Sequence, residues 1–166
     1  MKYKYATCFF LVAFIIQTTL MNMISIAGVT PNLLLCLVVI FSLLYDDKNH
    51  GIIFGVVFGL LYDIAFTGHV GVAALLFLII SLSIIFASFI INKEVILSVI
   101  IVIVLATIAY VFMYWGIMAL MGSNTSFLFM LRFLPIHILY NTIVVLILYF
   151  LMIKKAIRHY EDRYYR

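Results

Sequence analysis

Two charged residues, Asp63 and Arg132, lie inside long apolar stretches of this sequence. An unpaired charge at the centre of a membrane helix costs about 2.5 to 3.5 kcal/mol. Each residue is only a few positions from the same side of the predicted membrane, about 5 Å deep for Asp63 and about 8 Å for Arg132. We therefore predict that the two side chains face each other or share a polar pocket. Such a pair either fixes the helix arrangement or forms a site for a ligand or partner.

Two further polar residues, His137 and Asn141, follow Arg132 along the same apolar segment. They are four residues apart and so lie on one face of a helix. Pro135, just before them, leaves backbone groups of the preceding turn without their helical partners. We predict that both residues join the polar pocket of Asp63 and Arg132. The alternative is that they form hydrogen bonds only with neighbouring helices.

Three glycines, Gly51, Gly55 and Gly59, recur at four-residue spacing and form one stripe along a helix. The absence of side chains on this stripe allows another helix backbone to approach closely. The stripe predicts a packing face. Its partner is either another helix of the same chain or a second protein, including a second copy of this chain.

The elements that carry these residues are membrane helices, because 68% of the chain is hydrophobic and only 10% is charged. Charged and turn-forming clusters divide it into six apolar segments: 6–26, 31–45, 51–66, 71–91, 95–121 and 127–153. The second and third have only about 15 and 16 residues, fewer than the roughly 20 that a full crossing requires. We predict an all-α, polytopic membrane protein with one domain, residues 1–166, and six spans.

The basic residues predict the orientation of these spans, since short loops with Lys and Arg stay in the cytoplasm. Both termini are therefore expected to be cytoplasmic, and the tail 154–166 to lie along the anionic inner leaflet. The N-terminal apolar run is long and lacks a small-residue cleavage pattern, which favours a first span over a cleaved signal. Nine of the ten Lys and Arg residues fall on one predicted side: Lys2, Lys4, Lys48, Lys93, Lys154, Lys155, Arg158, Arg163 and Arg166. Several aromatic residues fall near the opposite interface: Tyr62, Tyr110, Tyr114 and Trp115.

The composition argues against several classes of function. The four histidines and two cysteines are scattered over different depths, so we predict neither a metal site nor a cofactor. An enzyme acting on lipid-linked substrates would need several carboxylates or histidines at one level, and none group in this way. We therefore expect no catalytic residues. The net charge of +4 is concentrated at the cytoplasmic side, which favours contact with lipid headgroups rather than nucleic acid.

The middle of the chain resembles the rod shape-determining protein MreD family. The resemblance begins at Pro31-Asn32-Leu33-Leu34 and continues through the stripe Gly51, Gly55 and Gly59, with Asp63 four residues after the last glycine. A glycine turn, Gly68 to Gly71, follows. Leu134-Pro135 through Asn141 in the last segment is also similar, so the resemblance extends over nearly the whole chain.

The resemblance implies a non-enzymatic scaffold of the bacterial elongation complex, which maintains cell shape and supports lateral peptidoglycan synthesis in the inner membrane. The implied partners are MreC first, then RodA, a class B penicillin-binding transpeptidase and MreB. The implied fold is similar to the substrate-capture subunits of energy-coupling-factor transporters, with six helices around an outward-facing pocket. The alternative is therefore a transporter subunit that captures a small polar ligand, and a third possibility is lipid handling near the outer leaflet.

Overall fold

The computed structural model describes residues 3–19, 21–25, 28–45, 49–91 and 95–164; for residues 3, 5, 21, 22 and 154–164 it describes the backbone only. Within these ranges the protein is all-helical, as predicted. Six α-helices and one 3₁₀ turn follow in order: α1 Tyr3–Thr19, the 3₁₀ turn Met21–Ile24, α2 Leu33–Leu44, α3 Asn49–Phe66, α4 Val72–Ala87, α5 Ile96–Leu120 and α6 Phe127–Tyr164.

Helix α2 is the centre of the fold. It is apolar on every side apart from Ser42, and all of its residues from Leu34 to Leu44 are buried. A helix that is hydrophobic all round is stable only where every face is covered. The other five helices provide this cover, since each of them contacts α2. The Asn32 side chain accepts a hydrogen bond from Leu35 N at 2.9 Å and so caps the start of α2.

Aromatic packing joins α2 to its neighbours at one side. The ring of Phe10 in α1 lies 5.3 Å from Phe41 in α2, and 5.4 and 5.5 Å from Phe54 and Phe58 in α3. All four rings are buried. Such offset and tilted pairs contribute about 0.5 to 1.5 kcal/mol each beyond the burial of their area. They fix α1 and α3 against the central helix.

The outer helices surround α2 in the order α1, α3, α4, α5 and α6, each in contact with the next. In the described residues no Cα atoms of α1 and α6 come within 8 Å of each other, and the same is true of α3 and α5. Helices α1 and α6 therefore make no close backbone contact, although α2 is buried on this side as on the others. One hydrogen bond, from Tyr140 Oη to Ile24 O at 2.8 Å, crosses this side.

Successive helices run in opposite directions, so the bundle has two ends of different character. One end, which we call the neutral end, carries the connections 20–32, 67–71 and 121–126, none of which contains Asp, Glu, Lys or Arg. The other carries both chain termini and the connections that contain Lys48 and Lys93. Lys2, Lys48, Lys93 and Arg166 lie outside the described residues. The predicted orientation, with the neutral end outside, stays a prediction.

The helix lengths differ in part from the expected spans. Three helices, α3, α5 and the Phe127–Ile153 part of α6, are long and apolar enough to cross a membrane, in the part of the chain described. The third segment is longer than predicted, because Asn49 and His50 join the helix and His50 packs against Phe54. The shorter apolar helices are Ala6–Thr19, Leu33–Leu44 and Val72–Ala87. The count of six spans therefore remains a prediction.

The first and fourth predicted segments are not continuous helices. Helix α1 ends at Thr19, where the Thr18 and Thr19 hydroxyls both donate to Ile15 O and compete with the helical backbone pattern. Its expected end at Ile26 lies outside the described residues. Helix α4 ends at Ala87 and is followed by a turn, in which Ser88 Oγ donates to Ile85 O. In both places a hydroxyl offers the backbone an alternative partner.

Candidate functional site

Asp63, near the end of α3, is completely buried and is bonded to the start of α4. Its Oδ2 accepts hydrogen bonds from the backbone N–H of Gly71 at 3.0 Å and of Ala73 at 2.8 Å. Its Oδ1 accepts a hydrogen bond from Thr67 Oγ1 at 3.2 Å, in the connection between α3 and α4. The residue is therefore a cap for α4 supplied by the preceding helix.

The local geometry explains why a carboxylate occupies this position. The first turn of a helix has N–H groups without helical partners and a partial positive charge, and both favour an anion. Gly71, which precedes α4, has φ 98° and no capping side chain of its own. This left-handed conformation favours glycine, so the cap must come from elsewhere in the chain. Asp63 provides it.

Arg132 lies on an exposed face of α6. Among the described residues the structure has no ion pair between Asp63 and Arg132. The backbone of α4, rather than the guanidinium, provides the partners of the Asp63 carboxylate. Asp63 thus holds α3 and α4 together. It does so through the backbone of α4 and not through the predicted pair with Arg132.

Asn141 is also buried, and it holds the connection that leads into α2. Its Oδ1 accepts a hydrogen bond from Asn32 N at 2.8 Å, and its Nδ2 donates to Thr107 Oγ1 in α5 at 3.1 Å. Gln17 in α1 holds the same connection, donating to Pro31 O at 3.0 Å and accepting from Leu33 N at 2.7 Å. Two side chains from different helices therefore fix residues 31–33 at the neutral end.

His137 lines a cavity of about 540 Å³ at the neutral end. The cavity lies between the ends of α1, α3 and α5, the start of α6, and the connection before α2. Aromatic side chains form much of its wall, among them Tyr62, Tyr110, Tyr114 and Trp115. The Trp115 indole N–H donates to Thr125 O at 3.0 Å and so ties α5 to the connection that precedes α6.

The structure does not bring the four predicted pocket residues together. Only His137 lines the cavity, whereas Asp63 caps α4, Asn141 is committed to the connection before α2, and Arg132 is exposed. The sequence predicts that the three cavity tyrosines are interface anchors, whereas in the structure they line the cavity. Tyr110 and Tyr114 are one helical turn apart in the sequence, which places them on one face of α5. In the structure their rings are nearly parallel, at 17°.

The glycine stripe is used for packing within the chain. A Cβ on Gly51 would overlap the Ser42 hydroxyl of α2, and one on Gly55 would lie 3.0 Å from Val38 Cγ2. A Cβ on Gly59 would lie 2.7 Å from the Cα of Ala74 in α4. Of the two predicted partners of the stripe, the structure therefore shows helices of the same chain, α2 and α4.

In the described residues, no three His, Cys, Asp or Glu side chains group as metal ligands would.

These features define a class: a polytopic helical membrane protein organised around one buried helix, with a cavity at the end of the bundle that lacks charged connections. A comparison with known protein families matches residues 2–156 to the family described as rod shape-determining protein MreD. The match covers nearly the whole chain, and the chain belongs to the MreD family. Comparisons with curated proteins and with solved structures give no match. Membership indicates a role in rod shape determination.

Proposed function

We propose that this protein is a membrane scaffold of the bacterial elongation complex, located in the inner membrane with both termini in the cytoplasm. The observation that carries the proposal is the family match over residues 2–156. The proposed partner is MreC, with RodA, a class B penicillin-binding transpeptidase and MreB as further members of the complex. The basic tail 154–166 would add contact with anionic lipid at the inner leaflet.

The packing of the bundle supports a scaffold that acts through its outer surfaces. The glycine stripe, Asp63 and Asn141 are all occupied by contacts within the chain. Helix α6, in contrast, presents a continuous exposed stripe of apolar side chains at helical spacing. It consists of Leu139, Ile143, Ile147 and Phe150, which are 62, 48, 56 and 59% exposed. This stripe of α6 is the proposed contact for MreC.

The test is site-specific photo-crosslinking in living cells. A benzophenone amino acid is placed at Ile143 or Ile147 of α6, and, as matched controls, at Leu75 or Ile79, which are exposed apolar positions on α4. We expect adducts with MreC from the α6 positions and several-fold less from α4, because only one face of the bundle can lie against a single partner. Equal yields from both helices, or no MreC adduct at all, would contradict the proposal.

A second candidate function, capture of a small ligand, is favoured by one specific observation. A cavity of about 540 Å³ lies within the range of roughly 300 to 1,000 Å³ typical of small-molecule sites. Capture and scaffolding are separable, because the cavity and the exposed stripe of α6 involve different residues.

A further inference from the structure

We propose that the cavity at the neutral end binds an uncharged amphiphile, a molecule with an apolar body and a small head of hydroxyl or carbonyl groups. This inference deepens the second candidate function and specifies its ligand. It is independent of the scaffold role, since none of its evidence comes from the α6 stripe.

The first observation is the absence of charge in the cavity wall. Among the described residues that line it there is no Asp, Glu, Lys or Arg. Asp63 is nearby in sequence but is bonded to the start of α4, and Arg132 lies on an exposed face. A charged ligand buried in this cavity would therefore lose its hydration without gaining an opposite charge, which is strongly unfavourable.

The second observation is that some polar groups of the wall are already bonded and others are not. Gln17 and Trp115 have partners within the protein. Within the described part of the protein, by contrast, the hydroxyls of Tyr62 and Tyr114 and the ring nitrogens of His137 make no hydrogen bond. A few uncommitted polar groups in an otherwise apolar cavity are typical of sites that orient a ligand through a small polar head.

The third observation is the apolar remainder of the wall. Met118, Phe129, Met130 and Phe133 line the cavity together with the faces of the tyrosine rings. Methionine and aromatic side chains adapt to irregular apolar shapes and provide large contact areas. They would hold the hydrocarbon or ring body of the ligand.

The fourth observation concerns access. Helices α1 and α6 line the cavity with Gln17 and Phe133, and in the described residues they make no close backbone contact with each other. An amphiphile dissolved in the surrounding lipid would enter most easily along this boundary between the two helices.

The test uses Trp115, which lines the cavity and is the single tryptophan of the chain. The full-length protein in nanodiscs of zwitterionic lipid is titrated with 1-decanoylglycerol, an uncharged amphiphile, and with its phosphorylated analogue, which has the same acyl chain and a charged phosphate on the head. We expect a saturable change in Trp115 fluorescence with 1-decanoylglycerol and an affinity at least about tenfold lower for the analogue. No saturable change, or equal affinities, would overturn the proposal.

Two kinds of variant locate the binding. Val111→Phe fills the cavity, and Leu105→Phe introduces the same side chain on the exposed side of the same helix. We expect the first to abolish the fluorescence response and the second to preserve it. Tyr62→Phe with Tyr114→Phe removes two hydroxyls with little change of shape and should weaken binding about fivefold or more. Wild-type affinity in both Val111→Phe and the tyrosine double variant would overturn the proposal.

The same variants separate this inference from the scaffold role. Photo-crosslinking to MreC from Ile143 is repeated in the Val111→Phe background. Loss of the fluorescence response with unchanged MreC adducts supports a ligand site distinct from the partner surface. If the wild-type protein gives no saturable fluorescence response but still forms MreC adducts, the ligand site is overturned and the scaffold proposal stands.

Discussion

Asp63→Ala is expected to destabilise the protein severely and to abolish its accumulation in the membrane. The Asp63 carboxylate accepts the N–H groups of Gly71 and Ala73 at a completely buried position. Without it, the buried N–H of Ala73 loses its partner, at a cost of about 1 to 3 kcal/mol, and the part-buried N–H of Gly71 loses its partner as well. The start of α4 would then be uncapped, and its contact with α3 weakened. Thermal unfolding of the detergent-solubilised protein, with membrane accumulation measured by immunoblot, is the test.

Two further variants show which contact matters. Asp63→Asn retains one acceptor oxygen and should have an intermediate stability. Exchange of the two charges, Asp63→Arg with Arg132→Asp, should be no better than Asp63→Arg alone, because the partners of Asp63 are backbone groups of α4. Restoration of normal accumulation by the exchange would show that the two charges pair, and would contradict the capping role.

Gly59→Ala is expected to have the second largest effect. Its new Cβ would lie 2.7 Å from Ala74 Cα and 2.9 Å from Ala74 N. These are backbone atoms of α4, so no side-chain rotation can relieve the contact and the two helices must separate. Overpacking of this kind typically costs about 1 to 3 kcal/mol. The measurement is the shift of the unfolding temperature relative to the wild-type protein.

Gly116→Ala is the matched control for this change. Gly116 lies within α5, and a Cβ there would meet no neighbouring atom within 4 Å. Alanine is favoured over glycine inside a helix by about 1 kcal/mol, so this variant should be at least as stable as the wild type. A Gly59→Ala protein as stable as Gly116→Ala would mean that α3 and α4 are not in close contact.

The class of fold was predictable from the sequence because it depends on composition. The apolar segments and their charged separators are visible in the residues themselves, and the glycine spacing predicts close packing whichever helix is the partner. The family resemblance is visible in the sequence for a related reason, since part of its motif consists of residues whose small size or charge the fold requires. Gly59 and Asp63 are examples, and both contact the start of α4.

The partner of Asp63 was not predictable in the same way. Its hydrogen-bond donors are backbone N–H groups, which nearly every residue has, so Gly71 and Ala73 carry no distinctive signal. Arg132 was the more visible candidate, because opposite charges at similar depth are expected to pair. Depth alone does not specify the face of the helix, and Arg132 lies on an exposed one.

The sequence predicts the cavity only in part, for a similar reason. Tyrosine and tryptophan near the end of a membrane helix are typical of interfacial anchors. Whether they face lipid or the interior depends on which helices adjoin, and α3 and α5 are separated in the described structure. The polarity of His137 predicts a place in the pocket, and its side chain does line the cavity. Tyr62 and Tyr114 could be recognised as cavity residues only once the helices were placed around α2.

Helix α2 is the enclosed core of the bundle, so function depends on the exterior and the cavity. The two native cysteines test it directly, since Cys36 lies in α2 and is completely buried, whereas Cys8 in α1 is exposed. The folded protein in mild detergent is treated with N-ethylmaleimide and analysed by mass spectrometry. An enclosed α2 predicts rapid modification of Cys8 and protection of Cys36 until the protein is unfolded. Modification of both thiols at similar rates in the folded protein would contradict it.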